Sequence, residues 1–253
     1  MASKRLDKAN DLLIQGKPKK ALKLCNKVLS SKPDNCEALA LKGDCLMYSQ
    51  DFKKALKYYD EALAIDPSLI RLYFNKAEMY ILEKEFDKAY NCGVEILDRD
   101  PTNADAWFLK GRSLFLMSNS DEALSCFDEC LKLDSNNYKS LAHKGIIFND
   151  RGKFKKARKY LEKAFLIKED DMDVLIGLAM NYYRSENYEK AMEYATRLFA
   201  IDPYNFVAFY VSVFSLAALE EFEDCLKVLD LALKIYPDEK SFLDIKNFFD
   251  SVK

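Results

Sequence analysis

Five of the six prolines share one spacing, and that spacing constrains the fold more than composition does. Pro33, Pro67 and Pro101 stand 34 residues apart, Pro203 falls three such periods after Pro101, and Pro237 follows one period later. An unbroken period of this size marks a chain made by stacking one supersecondary unit. The unit is plainest in Cys36–Leu69, where two amphipathic helical patterns, Glu37–Tyr48 and Phe52–Ile65, are joined by the turn Ser49-Gln50-Asp51 and closed by Asp66-Pro67. Leu39, Lys42, Gly43 and Leu46 share one face of the first pattern, and Ala55, Tyr59 and Ala62 share one face of the second. A single hairpin of this kind cannot bury both faces of both helices, so it must stack on its neighbours.

Repeats set to begin at Ala2, Cys36, Ile70, Ala104, Tyr138, Met172 and Phe206 align Ala21, Ala55, Ala89, Ala123, Ala157, Ala191 and Cys225 in one column. All are small, as a close helix crossing requires. Three residues earlier stand Pro18, Phe52, Phe86, Ser120, Phe154, Tyr188 and Phe222, a mostly aromatic column at the start of each second helix. With only seven Gly and six Pro and 32% charged residues, the chain is expected to be all-α, a single solenoid domain over residues 1–253. Beyond Pro237, the residues Phe242, Ile245, Phe249 and Val252 form one apolar stripe, which predicts a capping helix over about residues 239–252. Leu243 and Phe248 lie off that stripe.

The period and the small and aromatic columns resemble the tetratricopeptide repeats, from Ala2 to about Pro237. The pattern is most literal in Ala104–Tyr138, with Trp107, Gly111, Leu114, Ala123 and Phe127 at the signature positions. It loosens where Gly93 replaces a bulky residue, Ser135 and Glu169 replace the closing proline, and Val213 replaces a small one. The resemblance implies a right-handed superhelical solenoid of antiparallel helix pairs, with first helices lining a concave groove and second helices outside. It also implies a non-catalytic scaffold that binds a peptide or partner protein.

In that register the groove residues are Arg71, Phe74, Asn75, Glu78, Phe108, Arg112, Lys139 and His143, polar and mixed in sign. They are followed by the apolar set Ile176, Met180, Tyr183, Val207, Tyr210, Val211 and Phe214. The apolar set either packs between first helices or forms an exposed surface for a partner or for self-association. Chaperone-binding members of the family hold a C-terminal carboxylate with a clamp of Lys, Asn and Arg. Here the matching positions are Leu6, Asn10, Leu41, Arg71 and Asn75, and the two later registers are no better, so no clamp is expected. The alternative to a groove scaffold is a homodimer or larger assembly joined through the apolar C-terminal repeats.

The formal net charge of −2 supplies no overall basic field, so nucleic acid is not an expected partner. The start of the chain, rich in charge, lacks the apolar stretch of a secretory signal, and the weakly charged run Phe206–Leu219 is shorter than the ~20 residues that span a bilayer. No membrane association is expected. Seven cysteines without framework spacing suit a reducing compartment, and the expected location is the cytoplasm.

Catalytic chemistry finds no footing in the sequence. His143 is the one histidine, and no Gly-rich phosphate loop occurs. Cys126 and Cys130 share a helix face but lack further ligands, and Glu169, Asp170, Asp171 and Asp173 lack the Gly and spacing of a calcium loop. No metal, cofactor or enzymatic activity is expected, and the acidic run reads as a turn with a helix-capping Asp. The basic run Arg151–Lys163 reads as the solvated outer face of a second helix in preference to an acidic-partner patch, because its aromatics stand at core positions.

Overall fold

The computed structural model describes residues 2–251, so Val252 of the terminal stripe lies outside the described residues. Among the described residues there are fifteen α-helices and no strand. The first helices are α1 (Ala2–Ile14), α3 (Cys36–Tyr48), α5 (Ile70–Leu82), α7 (Ala104–Leu116), α9 (Tyr138–Asp150), α11 (Met172–Arg184) and α13 (Phe206–Ala218). Their starts coincide with the 34-residue phase of the sequence. The second helices are α2 (Pro18–Leu29), α4 (Phe52–Ile65), α6 (Phe86–Leu97), α8 (Ser120–Leu133), α10 (Phe154–Ile167), α12 (Tyr188–Ile201) and α14 (Phe222–Ile235). The terminal helix is α15 (Lys240–Ser251).

Both ends of the first helices are set by local chemistry. Asn35, Asn103, Asn137 and Asn205 each accept a hydrogen bond from the backbone N–H three residues on, and Asp171 does the same for Val174. Each satisfies a donor that a helix start would leave unpaired. The Asp171 cap is the role expected of the acidic run. At the other end, the chain turns two residues past each of the seven first helices, at Gly16, Gln50, Lys84, Ser118, Gly152, Glu186 and Glu220, all with positive φ between 59° and 69°. Around Gln50 the backbone closes with Gln50 N–H on Met47 O (2.9 Å) and Asp51 N–H on Leu46 O (3.0 Å), the left-handed cap that turns the chain into the second helix.

Two compact units divide the chain, Met1–Cys126 and Phe127–Lys253, and the division falls within α8. In the first unit, Leu6, Ala9, Ala21, Cys25, Val28 and Leu41 form one core, and Tyr59, Leu72, Met79, Ala89, Ile96 and Ala106 belong to a second. The α3–α4 crossing is close because residue 43 is Gly. A Cβ there would lie 2.4 Å from the Tyr59 ring. In the second unit, Leu161 of α10 fills the same role against Gly145 and Gly177, each of whose absent Cβ would lie 2.4 Å from it. The whole column from Ala21 to Cys225 is fully buried, as a tight crossing demands.

Helix α15 closes the second unit. Phe242 is fully buried, with its ring centroid 5.7 Å from Phe206, while Ile245 and Phe249 pack on the Phe209–Leu229 core. Phe249 also meets Phe222 at 5.6 Å. Leu243 and Phe248, off the stripe, are exposed.

Candidate partner-binding surfaces

In the first unit, the polar residues assigned to the groove are largely spent on one another. Asp44 of α3 accepts from the Tyr59 hydroxyl (2.6 Å), from Arg71 of α5 (2.9 Å) and from Asn75 of α5 (3.1 Å). Burial, reinforced by the Asp44 charge, pushes the Tyr59 phenol far above its ordinary value, so it stays a donor. One turn further along, Glu78 of α5 accepts from Arg112 of α7 at 2.8 Å. These bonds tie successive first helices together. Arg71 and Glu78 keep more than half of their side-chain surface exposed, and Phe74 and Phe108 are half-buried beside them.

In the second unit, two expectations change. His143 is only 7% exposed: its ring lies 5.5 Å from Phe127 and its Nδ1 3.0 Å from the Lys139 carbonyl. It is a packed residue on a buried helix face, not a polar groove contact. Val211 is fully buried as well. It follows Tyr210 by one residue, a rotation of about 100° around the helix, which turns it from the exposed strip into the core. Lys139 remains exposed.

The remaining apolar residues do share a surface. Ile176, Met180 and Tyr183 on α11, and Val207, Tyr210 and Phe214 on α13, are all half-buried. Tyr183 meets Tyr210 edge-on at 5.8 Å, and Tyr210 meets Phe214 at 4.6 Å. Burial, with a hydrogen bond and charge interaction from Tyr210, pushes the Tyr183 phenol up to about 12. Arg184, at the end of α11, is paired with Asp150 at 3.1 Å. The rings are thus held by one another, with no charged side chain set among the six.

Sequence reasoning missed Phe206, exposed by more than a third, which extends this aromatic run at 6.2 Å from Tyr210, and Tyr188, 6.1 Å from Tyr183. It also missed a buried amide network behind the strip. Asn181 donates to Asn149 Oδ1 (2.6 Å) and to the Phe154 carbonyl (3.0 Å), and accepts from Arg158 Nε (2.9 Å). Asn149 in turn donates to the Gly177 carbonyl at 2.9 Å. The signal was present: Asn149 and Asn181 are lone amides late in the apolar runs of α9 and α11.

Residues 95–205 match the tetratricopeptide repeat domain of the cytochrome c-type biogenesis protein H family, and residues 36–69 match a single tetratricopeptide repeat. The chain is a tetratricopeptide repeat protein. A search of curated proteins finds no match. Among solved structures, this repeat protein is similar to a tetratricopeptide repeat protein from Parabacteroides merdae, with a TM-score of 0.74, 18% identity and 96% of each chain covered. It is also similar to a chain of the APC/C hetero-tetramer Cut9–Hcn1, with a TM-score of 0.80 and 14% identity over 93% of this chain and 46% of that one. YrrB, described as a TPR protein with an unusual peptide-binding site, has a TM-score of 0.53 and 19% identity over 74% of this chain and 96% of its own. At these identities the likeness concerns the fold.

Among the described residues, no group of three or more His, Cys, Asp or Glu side chains could hold a metal ion, and no helix is long and apolar enough to cross a membrane. None of the seven cysteines is in a disulfide.

Proposed function

We propose that this tetratricopeptide repeat protein is a non-catalytic scaffold that takes a segment of a partner protein against its first helices. The second unit would supply the main contact. Repeat proteins of this family generally mediate protein–protein interactions. One observation carries the assignment here: Ile176, Met180, Tyr183, Val207, Tyr210 and Phe214 are partly buried, uncharged and set on two successive first helices. Aromatic rings preset by mutual contact lose little freedom on binding, which favours their use as anchors. The YrrB likeness is in keeping with a peptide as the bound species. The buried Leu41 and the Asn75–Asp44 bond argue against a carboxylate clamp in the first unit, since neither residue is available to one. Seven cysteines outside any disulfide suit a reducing compartment such as the cytoplasm.

The test is affinity capture from lysate of the source cell with wild type and with Tyr210→Ala/Phe214→Ala. The double variant is expected to keep its helical circular dichroism and to lose a specific partner. Loss of helical content instead would make the strip a packing element. Size exclusion with light scattering reads the alternative: a dimer that the same variant dissociates would mean the strip joins copies of the chain.

A further inference from the structure

On the second-helix side of the second unit, an open cavity of about 870 Å³ lies between the end of α8, α9 and α10. Three lysines of α10, Lys155, Lys159 and Lys163, contribute to its lining. At four-residue intervals they form a line with roughly 6 Å of helix rise between successive members. Lys163 is engaged with the Ser135 carbonyl at 2.9 Å, whereas Lys155 and Lys159 meet no carboxylate among the described residues. The cavity lining carries two acids, Asp128 and Glu162, against six cationic side chains. Asp128 pairs with the buried Lys144, and Glu162 accepts from the Tyr182 hydroxyl at 3.1 Å. The positive charge along α10 is therefore not cancelled within the fold.

The equivalent cavity two repeats earlier behaves differently. It measures about 440 Å³, and its cations are paired, Lys76 with Asp60 and Lys88 with Glu85. Excess charge is thus a local property of α10 and not a feature of every repeat. Beside it lies apolar surface with no internal use: Leu166, part of the cavity lining, is 86% exposed. Leu166 thus sets an exposed aliphatic side chain within reach of the unpaired lysines.

We propose that this cavity binds an acidic peptide segment of a partner protein, with carboxylates along the Lys155–Lys159 line and an aliphatic side chain on Leu166. Carboxylates four apart on a helix, or two apart on a strand at about 6.6 Å, match the lysine interval. A nucleic acid would need an aromatic face for its bases. Tyr160, the one aromatic of the cavity, is already stacked on Phe148 at 5.6 Å and covered by the Lys144 ammonium at 4.9 Å. This site is lined by α8, α9 and α10 and shares no residue with the α11–α13 strip.

The test is fluorescence anisotropy with a fluorescein-labelled peptide of three Glu-Glu-Leu-Glu units, set beside a labelled oligothymidylate of twelve nucleotides. Wild type is expected to bind the peptide, and Lys155→Glu/Lys159→Glu to weaken it about tenfold or more. Leu166→Ser is expected to weaken it several-fold, while Tyr210→Ala/Phe214→Ala leaves it unchanged. All substituted positions are exposed or half-buried, and circular dichroism checks that the variants are folded. Absence of peptide binding by wild type, or binding that both the charge-reversed and the Leu166→Ser variants retain, overturns the proposal. Tighter binding of the oligothymidylate than of the peptide overturns it in favour of a nucleic acid.

Discussion

A buried amide is tolerable only when its hydrogens and its oxygen are all met, and Asn181 meets that condition through Asn149, the Phe154 carbonyl and Arg158. Arg158 adds a bond to Ser185 at 2.7 Å and lies over the Tyr182 ring at 4.3 Å, so one side chain ties Asn181 and Tyr182 of α11 to Ser185 just beyond its end. Asn181→Leu keeps a similar volume but strands the Asn149 oxygen and the Phe154 carbonyl. It is expected to cost about 3 kcal/mol in urea denaturation. An unchanged midpoint would show that the network is incidental. A related register holds Lys42, Lys76, Lys110 and Lys144, each one period from the next. Lys42 lies over Tyr58, Lys110 over Tyr90 and Trp107, and Lys144 over Tyr160, while Lys76 pairs with Asp60. At this scale the sequence was only partly legible. The period gives each residue a direction, which located Tyr183, Tyr210 and Phe214. It does not say how closely a neighbouring helix covers that direction, which is why His143 and Val211 share the groove register and are nonetheless buried.

The helices themselves were readable from their apolar spacing, and the first-helix starts followed the period without drift. The turns were not. Each hairpin turns through one residue in the left-handed region, yet only Gly16 and Gly152 announce it. The other five are Gln50, Lys84, Ser118, Glu186 and Glu220. Any side chain but glycine pays about 1 kcal/mol or more for that conformation, so these turns are held by the packing on either side of them. Glu186→Gly is therefore expected to stabilise the protein by about 0.5–1 kcal/mol, the relief of strain outweighing the added freedom of the unfolded chain. The reverse change, Gly152→Ala, meets nothing within 4 Å and is expected to destabilise it by about 1 kcal/mol from backbone strain alone. Thermal unfolding of the two variants reads both signs. Equal midpoints would mean that the turns carry no strain.

At the scale of the whole chain, one period generates the tetratricopeptide repeat fold, and departures from it are where one such protein can differ from another. Small residues recur wherever helices cross, so their column says nothing about a partner. The departures are local: internally paired charges at Asp44–Arg71 and Glu78–Arg112 in the first unit, uncharged aromatics on α11 and α13 in the second. An apolar residue on a first helix can serve the core or a ligand, and sequence pattern alone does not separate the two. Partial burial of Ile176, Met180, Tyr183, Val207, Tyr210 and Phe214 leaves surface for a partner even where, as at Tyr210 and Phe214, the ring also packs on the core. The claim that this strip receives a partner is tested most directly by placing a benzophenone side chain at position 210 and irradiating the protein in lysate of its source cell. The expected result is a covalent adduct with another protein, absent when Phe214→Ala is added and absent when the benzophenone stands at position 231, an exposed position of α14. No adduct from position 210, or adducts only between copies of this chain, would contradict it.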